Sequence, residues 1–190
     1  MNYLFGRVTI DDLDRVPFTR QGHRHYLAIG GAHDELSETE SFFKIDGDFG
    51  YHFTLGEKHT FAPRLRLGWA THEMPIVEKF YLGGALPDEQ YRMAGLYNYI
   101  DFVGMKPRSM TGDVLAVGRL LYRLNVASKL FLKCMLDWGY TWRHQDFSFT
   151  SDCLERAVRK APLGIGLGLS YDSPLGPIEL SWAGCCEKPT

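Results

Sequence analysis

Bulky apolar residues alternate with polar or small ones along most of this chain. In residues 42–55, Phe43, Ile45, Phe49, Tyr51, Phe53 and Leu55 alternate with Lys44, Asp46, Asp48, Gly50, His52 and Thr54. Residues 59–71 set Phe61, Leu65, Leu67 and Trp69 against Thr60, Arg64, Arg66 and Ala70. Residues 109–124 put Asp113, Arg119 and Arg123 opposite Val114, Leu120, Tyr122 and Leu124. Residues 128–142 put Lys129, Lys133, Asp137 and Thr141 opposite Leu130, Leu132, Leu136, Trp138, Tyr140 and Trp142. Residues 2–12 repeat the pattern, and residues 23–31 carry it more weakly through Leu27 and Ile29. In residues 164–171, Ile165, Leu167, Leu169 and Tyr171 alternate with nothing larger than Gly or Ser. A turn at Ser173-Pro174-Leu175-Gly176-Pro177 then leads to a further strand. A period of two is the signature of strands, because successive side chains point to opposite faces. The chain is expected to be all-β and antiparallel, with about eight long strands.

The charges fall almost entirely on one face of every strand, and two architectures share this pattern. In a transmembrane β-barrel the apolar face meets lipid and the polar face lines the lumen; a Lys or Arg on the lipid face at mid-bilayer would cost about 2–4 kcal/mol. In a soluble β-barrel the greasy face points inward, where it would bind a small apolar ligand. Strand lengths near the roughly 9–11 residues that span a bilayer favour the membrane, as do Trp and Tyr near strand ends and the spacing of the loops. Short connections at residues 14–21, 56–58, 125–128 and 172–177 alternate with long ones at 32–40, 71–108 and 143–161. Outer-membrane barrels have short periplasmic turns and long extracellular loops. That sidedness puts both ends of the chain at the extracellular side. Arg64, Arg66, Arg119, Arg123, Lys133 and Asp137 are then expected to face the lumen, and Leu65, Leu67, Leu130, Leu132, Leu136, Leu167 and Leu169 the lipid. The long connection at 71–108 holds Leu82, Leu86, Tyr91, Met93, Leu96 and Tyr97, too apolar for a free tip, and is expected to fold back into the lumen. Gly164, Gly166 and Gly168 leave room there for a backbone to approach.

Composition adds exclusions. The chain has 190 residues, 23% of them charged, and a net charge of −2, which gives no case for nucleic acid as a partner. No apolar run reaches the roughly 18–20 residues of a spanning helix. The first residues, Met1-Asn2-Tyr3-Leu4-Phe5-Gly6-Arg7, lack a signal peptide's basic region and apolar core, so a secreted barrel with this beginning is expected to be part of a longer chain. Cys134, Cys153 and the pair Cys185-Cys186 have no ligand-like spacing. His23 and His25 alternate on one strand but lack a third ligand, and a strand-end surface pair explains them. Asp46 and Asp48 fit a carboxylate pair, yet inward Arg64 and Arg66 make a charge ladder the better account. There is no G-x-S-x-G nucleophile elbow. Neither a catalytic site nor a metal or cofactor site is expected.

The hairpin Gly164–Leu180 resembles the penultimate hairpin of the BamA-type bacterial surface antigen superfamily, outer-membrane barrels that insert or translocate proteins. Phe80-Tyr81-Leu82-Gly83-Gly84 resembles the F-x-x-G-G that opens that family's inward-folding loop. Met135-Leu136-Asp137-Trp138-Gly139 resembles its F-x-D-x-G, with Met for Phe. In the family, a loop Arg of V-R-G-F/Y docks on that Asp and on a Glu one strand earlier. Here no V-R-G-F follows Gly84, and Leu121 stands at the Glu position. The resemblance makes Arg92, Asp137, Gly139, Gly83 and Gly84 candidates for a loop lock, with Lys129, Lys133 or Arg119 as other partners for Asp137. Residues 80–124, through Tyr97-Asn98-Tyr99-Ile100-Asp101-Phe102-Val103-Gly104-Met105 and Gly112-Asp113-Val114-Leu115-Ala116-Val117, look like the C-terminal barrel of outer-membrane patatin-like phospholipases. The chain resembles strands eight to fifteen of a sixteen-stranded barrel, with residues 1–184 as the barrel domain and 185–190 as a short tail. The resemblance implies the bacterial outer membrane as location and a barrel that anchors a periplasmic module. Its implied partners are outer-membrane lipid, a second copy or further strands of the barrel, and a polypeptide passenger.

Overall fold

The computed structural model describes residues 4–33, 41–71, 74–84 and 98–186, without the side chain of Leu154. The first four strands are β1 Leu4–Asp11, β2 Gly22–Ala32, β3 Phe42–Leu55 and β4 His59–Ala70. Three short ones follow, β5 Phe80–Leu82, β6 Tyr99–Ile100 and β7 Met110–Gly112, and then β8 Val114–Ala127, β9 Leu130–Trp142, β10 Leu163–Ser173 and β11 Gly176–Cys186. The long strands form one antiparallel eight-stranded sheet in the order β1-β2-β3-β4-β8-β9-β10-β11. The short strands form a separate sheet, β6-β5-β7. Nearest-neighbour order along the chain is what hairpins joined by turns produce.

The two faces of the large sheet differ in what covers them. Leu65, Leu67, Leu132, Leu136, Leu167 and Leu169 are exposed on the outer face, and Leu130 is half-buried. On the inner face Arg66, Arg123 and Asp137 are buried, while Arg64, Arg119 and Lys133 are half-buried. A soluble, ligand-binding barrel would bury its leucines and expose its arginines. This sheet does the reverse. The inner charges are paired: Arg64 Nε donates to Asp48 Oδ1 at 2.8 Å and Arg66 Nη2 to Asp46 Oδ2 at 2.9 Å. Lys133 meets Glu179 at 2.5 Å. Tyr26 also gives its hydroxyl to Asp46, at 3.0 Å. Charges withdrawn from water must be neutralised in this way, because an unpaired one is costly.

The inner face is filled from both ends. At the end with the short turns, Phe18 of the 12–21 connection is buried and stacks on Phe131 with ring centroids 4.5 Å apart. Arg123 donates to the Thr19 carbonyl beside it. At the other end, residues 74–84 and 98–113 lie on the wall. Phe80 sits against Gly68, where any Cβ would overlap its ring.

Three elements differ from the alternation pattern. The expected strand at 109–124 is broken at Asp113 into β7 and β8, because the Asp113 carboxylate takes bonds from outside the sheet. The 143–161 connection, expected as loop, contains a helix, α1 Ser151–Lys160, whose N-terminus is capped by Thr150 Oγ1 accepting from the Cys153 amide at 3.4 Å. Its buried residues Cys153 and Ala157 are one turn apart, and with Leu154 and Val158 they make the i, i+1, i+4, i+5 spacing of a helix, a signal that a search for strands passes over. Cys185 and Cys186, placed in the tail by the sequence, are the last two residues of β11.

The face assignment is tested by spin labels at positions 132 and 133 in reconstituted protein. The label at 132 is expected to be quenched by lipid-soluble oxygen and the label at 133 to be shielded from it. The opposite result would mean that every strand is turned by one residue.

Candidate functional site

The inward segment is anchored to the wall at charged points, the first of them on β8 and β9. Three residues in a row across the sheet set it up: Arg119 of β8 pairs in register with Asp137 of β9, and Asp137 with Gly164 of β10. The even spacing of this row places a cation, an anion and a bare backbone side by side on the inner face. Arg119 donates from Nε to Asp137 Oδ1 at 2.7 Å and from Nη2 to Asp137 Oδ2 at 2.6 Å, a bidentate fork. Its Nη1 reaches the carboxylate of Asp101, and Nη2 also meets the Asp101 carbonyl at 3.3 Å. Asp137 is fully buried and accepts a further bond from the Val103 amide at 2.7 Å. One wall arginine thus bridges a wall acid and an acid of the inward segment. The geometry is the planar, two-pronged recognition for which arginine is suited and lysine is not.

Glycines let the backbone come this close. At Gly164 a Cβ would collide with the Val103 carbonyl, and at Gly166 it would lie 2.8 Å from Val103 Cγ1. At Gly168 the near atoms belong to the wall itself, Glu179 and Leu180, so that position does not receive the segment. Gly139 takes part differently: a Cβ there would press on Val117 and the Ala116 carbonyl of β8. Gly83 and Gly84 adopt φ of 119° and 112°, values that side chains rarely tolerate. The Gly83 amide donates to the Ile100 carbonyl and the Gly84 amide to the Met105 carbonyl, at 2.9 and 3.1 Å. These bonds tie the F-x-x-G-G stretch to the segment carrying Asp101 and Val103.

Two further anchors hold the same segment. Lys44 of β3 donates to Asn98 Oδ1 at 2.5 Å and to the Glu78 carbonyl at 2.9 Å, with its ammonium 4.5 Å from the Phe80 ring centroid. Asp113, fully buried, accepts from the amides of Met74 (3.0 Å) and His144 (3.1 Å) and meets Lys79 Nζ at 3.4 Å. It therefore joins the inward segment and the 143–161 connection at the top of β8.

Of the residues singled out in the sequence, the structure brings Asp137 together with Arg119. Arg92 lies outside the described residues. Leu121, at the family's Glu position, is half-buried on the same face as Arg119. Sequence reasoning missed Asp101, Asp113 and Lys44 as anchors. For Asp101 a signal existed: it is a lone acid inside the apolar stretch Tyr99-Ile100-Asp101-Phe102-Val103. His23 and His25 stack at 4.9 Å on the outer face beside Tyr51, and no cluster of three metal-ligating residues exists among the described residues. Asp46 and Asp48 are each held by an arginine, as a charge ladder requires.

Removing the bridging cation leaves two buried acids without the guanidinium they share. Arg119→Ala is expected to lower stability by about 3–5 kcal/mol and to open Lys79, half-buried in the parent, to trypsin. Unchanged protection of Lys79 in a destabilised Arg119→Ala variant would show that the segment is held independently of Arg119.

Residues 2–190 match the Omp85 superfamily domain. Among solved structures, the fold is similar to that of BamA from Haemophilus ducreyi lacking POTRA domains 1-3, with a TM-score of 0.71 at 14% identity. That similarity covers 98% of this chain and 39% of the BamA chain, so this chain spans well under half of the structure it resembles. An apolar face turned outward, paired charges turned inward, a segment docked on the inner wall and a match over nearly the whole sequence lead to one conclusion: the chain belongs to the Omp85 superfamily of bacterial outer-membrane β-barrels.

Proposed function

We propose that this chain is the outer-membrane barrel of a patatin-linked protein of the BamA type, with no enzymatic activity of its own. In this reading the barrel anchors a periplasmic module and assists the insertion or passage of polypeptides. The observation that carries it is the contrast of faces, an exposed leucine belt around an inner wall on which a segment is fixed by Arg119, Asp101 and Asp137. The patatin link is supported by the order of Phe80–Gly84, Tyr97–Met105 and the β8 strand.

The short turns face the periplasm and the long connections the cell exterior, as in other barrels of the outer membrane. Strands β1 and β11 are the edges of the sheet. Each unsatisfied backbone group in lipid costs several kcal/mol, so these edges must meet each other, a second copy or further strands of the same barrel, and this reading takes the pairing to lie beyond the chain. In this reading the barrel proper extends through the end of β11 at Cys186.

The reading is tested on the full-length polypeptide that carries this barrel, captured from outer membranes. It is expected to be labelled by a fluorophosphonate that marks serine hydrolases, and to speed insertion of a urea-unfolded outer-membrane barrel into liposomes. An unlabelled polypeptide would remove the patatin link. Insertion no faster than in protein-free liposomes would remove the assisting role.

A further inference from the structure

The 143–161 connection folds over the outer face of the sheet, the side on which the leucines lie. Cys153 and Ala157 of α1 pack with Val114 and Trp142, and Trp69, Ala116, Tyr140 and Phe147 close around them. Between this cap and the wall runs a groove of about 430 Å³. Its floor is Leu67, Trp69, Val114 and Ala116, and its rim is Phe147 and Phe149. Phe149 is 83% exposed although its ring meets that of Phe147 at 4.8 Å. The groove continues the leucine belt through Leu67, so it opens where lipid chains lie.

A polar pocket adjoins it and shares Trp142 and Phe147. Arg156 and Lys160 line this pocket, one helical turn apart, together with Asp146, Gln145 and Ser148. Arg159 is held by Glu155 at 2.5 Å and does not line it. Two cations against one carboxylate leave the pocket positive. An apolar slot beside a cationic pocket, at the level of the Trp and Tyr ring where a barrel leaves the bilayer, has the form of an amphiphile's binding site. Paired cations beside an apolar surface fit a phosphate joined to acyl chains.

We propose that this cap binds one phosphorylated, multiply acylated lipid of the outer leaflet, with an acyl chain in the groove and a phosphate on Arg156 and Lys160. The leaflet assignment rests on the orientation proposed above, which places the long connections outside. Glycerophospholipid of the inner leaflet carries the same phosphate chemistry but is at the wrong end of the strands.

Native mass spectrometry of the full chain in mild detergent tests this with bisphosphorylated lipid A as the probe. One lipid A per chain is expected to be retained, and a tenfold excess of phosphatidylglycerol is expected not to displace it. Binding is expected to weaken by about tenfold or more in Arg156→Glu/Lys160→Glu and, separately, in Phe149→Asp. Position 149 is exposed, so the second variant leaves folding intact, and heat-modifiable mobility checks both. Absence of retained lipid A, equal retention by both folded variants, or displacement by phosphatidylglycerol would each overturn the proposal. An epitope inserted after Ser148 and probed on intact cells tests the orientation separately. If it is hidden while lipid A binds, the orientation fails and the outer-leaflet assignment falls with it.

Discussion

The structure depends on a single guanidinium shared between two acids. Arg119 is fixed by the wall acid Asp137 and in turn fixes Asp101 of the inward segment. Three charges with a net of −1 are taken from water together, which is affordable only because the geometry is bidentate and because Asp137 receives the Val103 amide as well. The consequences spread outward from there. Gly164 must stay bare for the Val103 backbone to reach Asp137, while Gly166 faces the Val103 side chain. With Asp101 and Val103 held, the Gly83 and Gly84 bonds place Phe80 against Gly68, three strands away along the sheet from β10.

The same economy governs the rest of the interior. Each inward cation of β3, β4 and β9 has an acid or a carbonyl within reach: Lys44 with Glu78, Arg64 with Asp48, Arg66 with Asp46, Lys133 with Glu179. Arg123 is different, because its partner is the Thr19 carbonyl and its neighbours are the rings of Phe18 and Phe131, 5.8 and 5.5 Å away. A cation over aromatic faces is stabilised by their quadrupoles. The short connection at 12–21 thus closes one end of the interior, and the docked segment occupies the other. At this contact the wall supplies the arginine and the segment supplies one of the acids.

The strands were legible because period-two alternation is a direct image of a sheet whose two faces meet different surroundings. The run Phe42–Leu55 is the clearest case, with its limits readable to the residue. Asp137 stood out as a charge within a strand of Leu, Trp and Tyr. Its partner did not, since Arg119, Lys129 and Lys133 all lie on the same face, and register alone decides among them. The break at Asp113 was hidden for a related reason: the residue fits the alternation, and only the amides of Met74 and His144, distant in sequence, explain why the pairing shifts there. Helix α1 was legible in the helical spacing of Cys153, Leu154, Ala157 and Val158 behind Thr150, but its short run is passed over when the chain is read for period-two strands.

The central claim is that the segment carrying Asp101 and Val103 lies on the wall at β10. Oxidative cross-linking of Val103→Cys with Gly166→Cys in the membrane-embedded protein tests it most directly. A Gly168→Cys/Ser181→Cys pair, whose positions are partners in the β10–β11 register, reports that the wall is intact. The account predicts that both pairs cross-link efficiently within one chain. Cross-linking at 168–181 without any at 103–166 would contradict it.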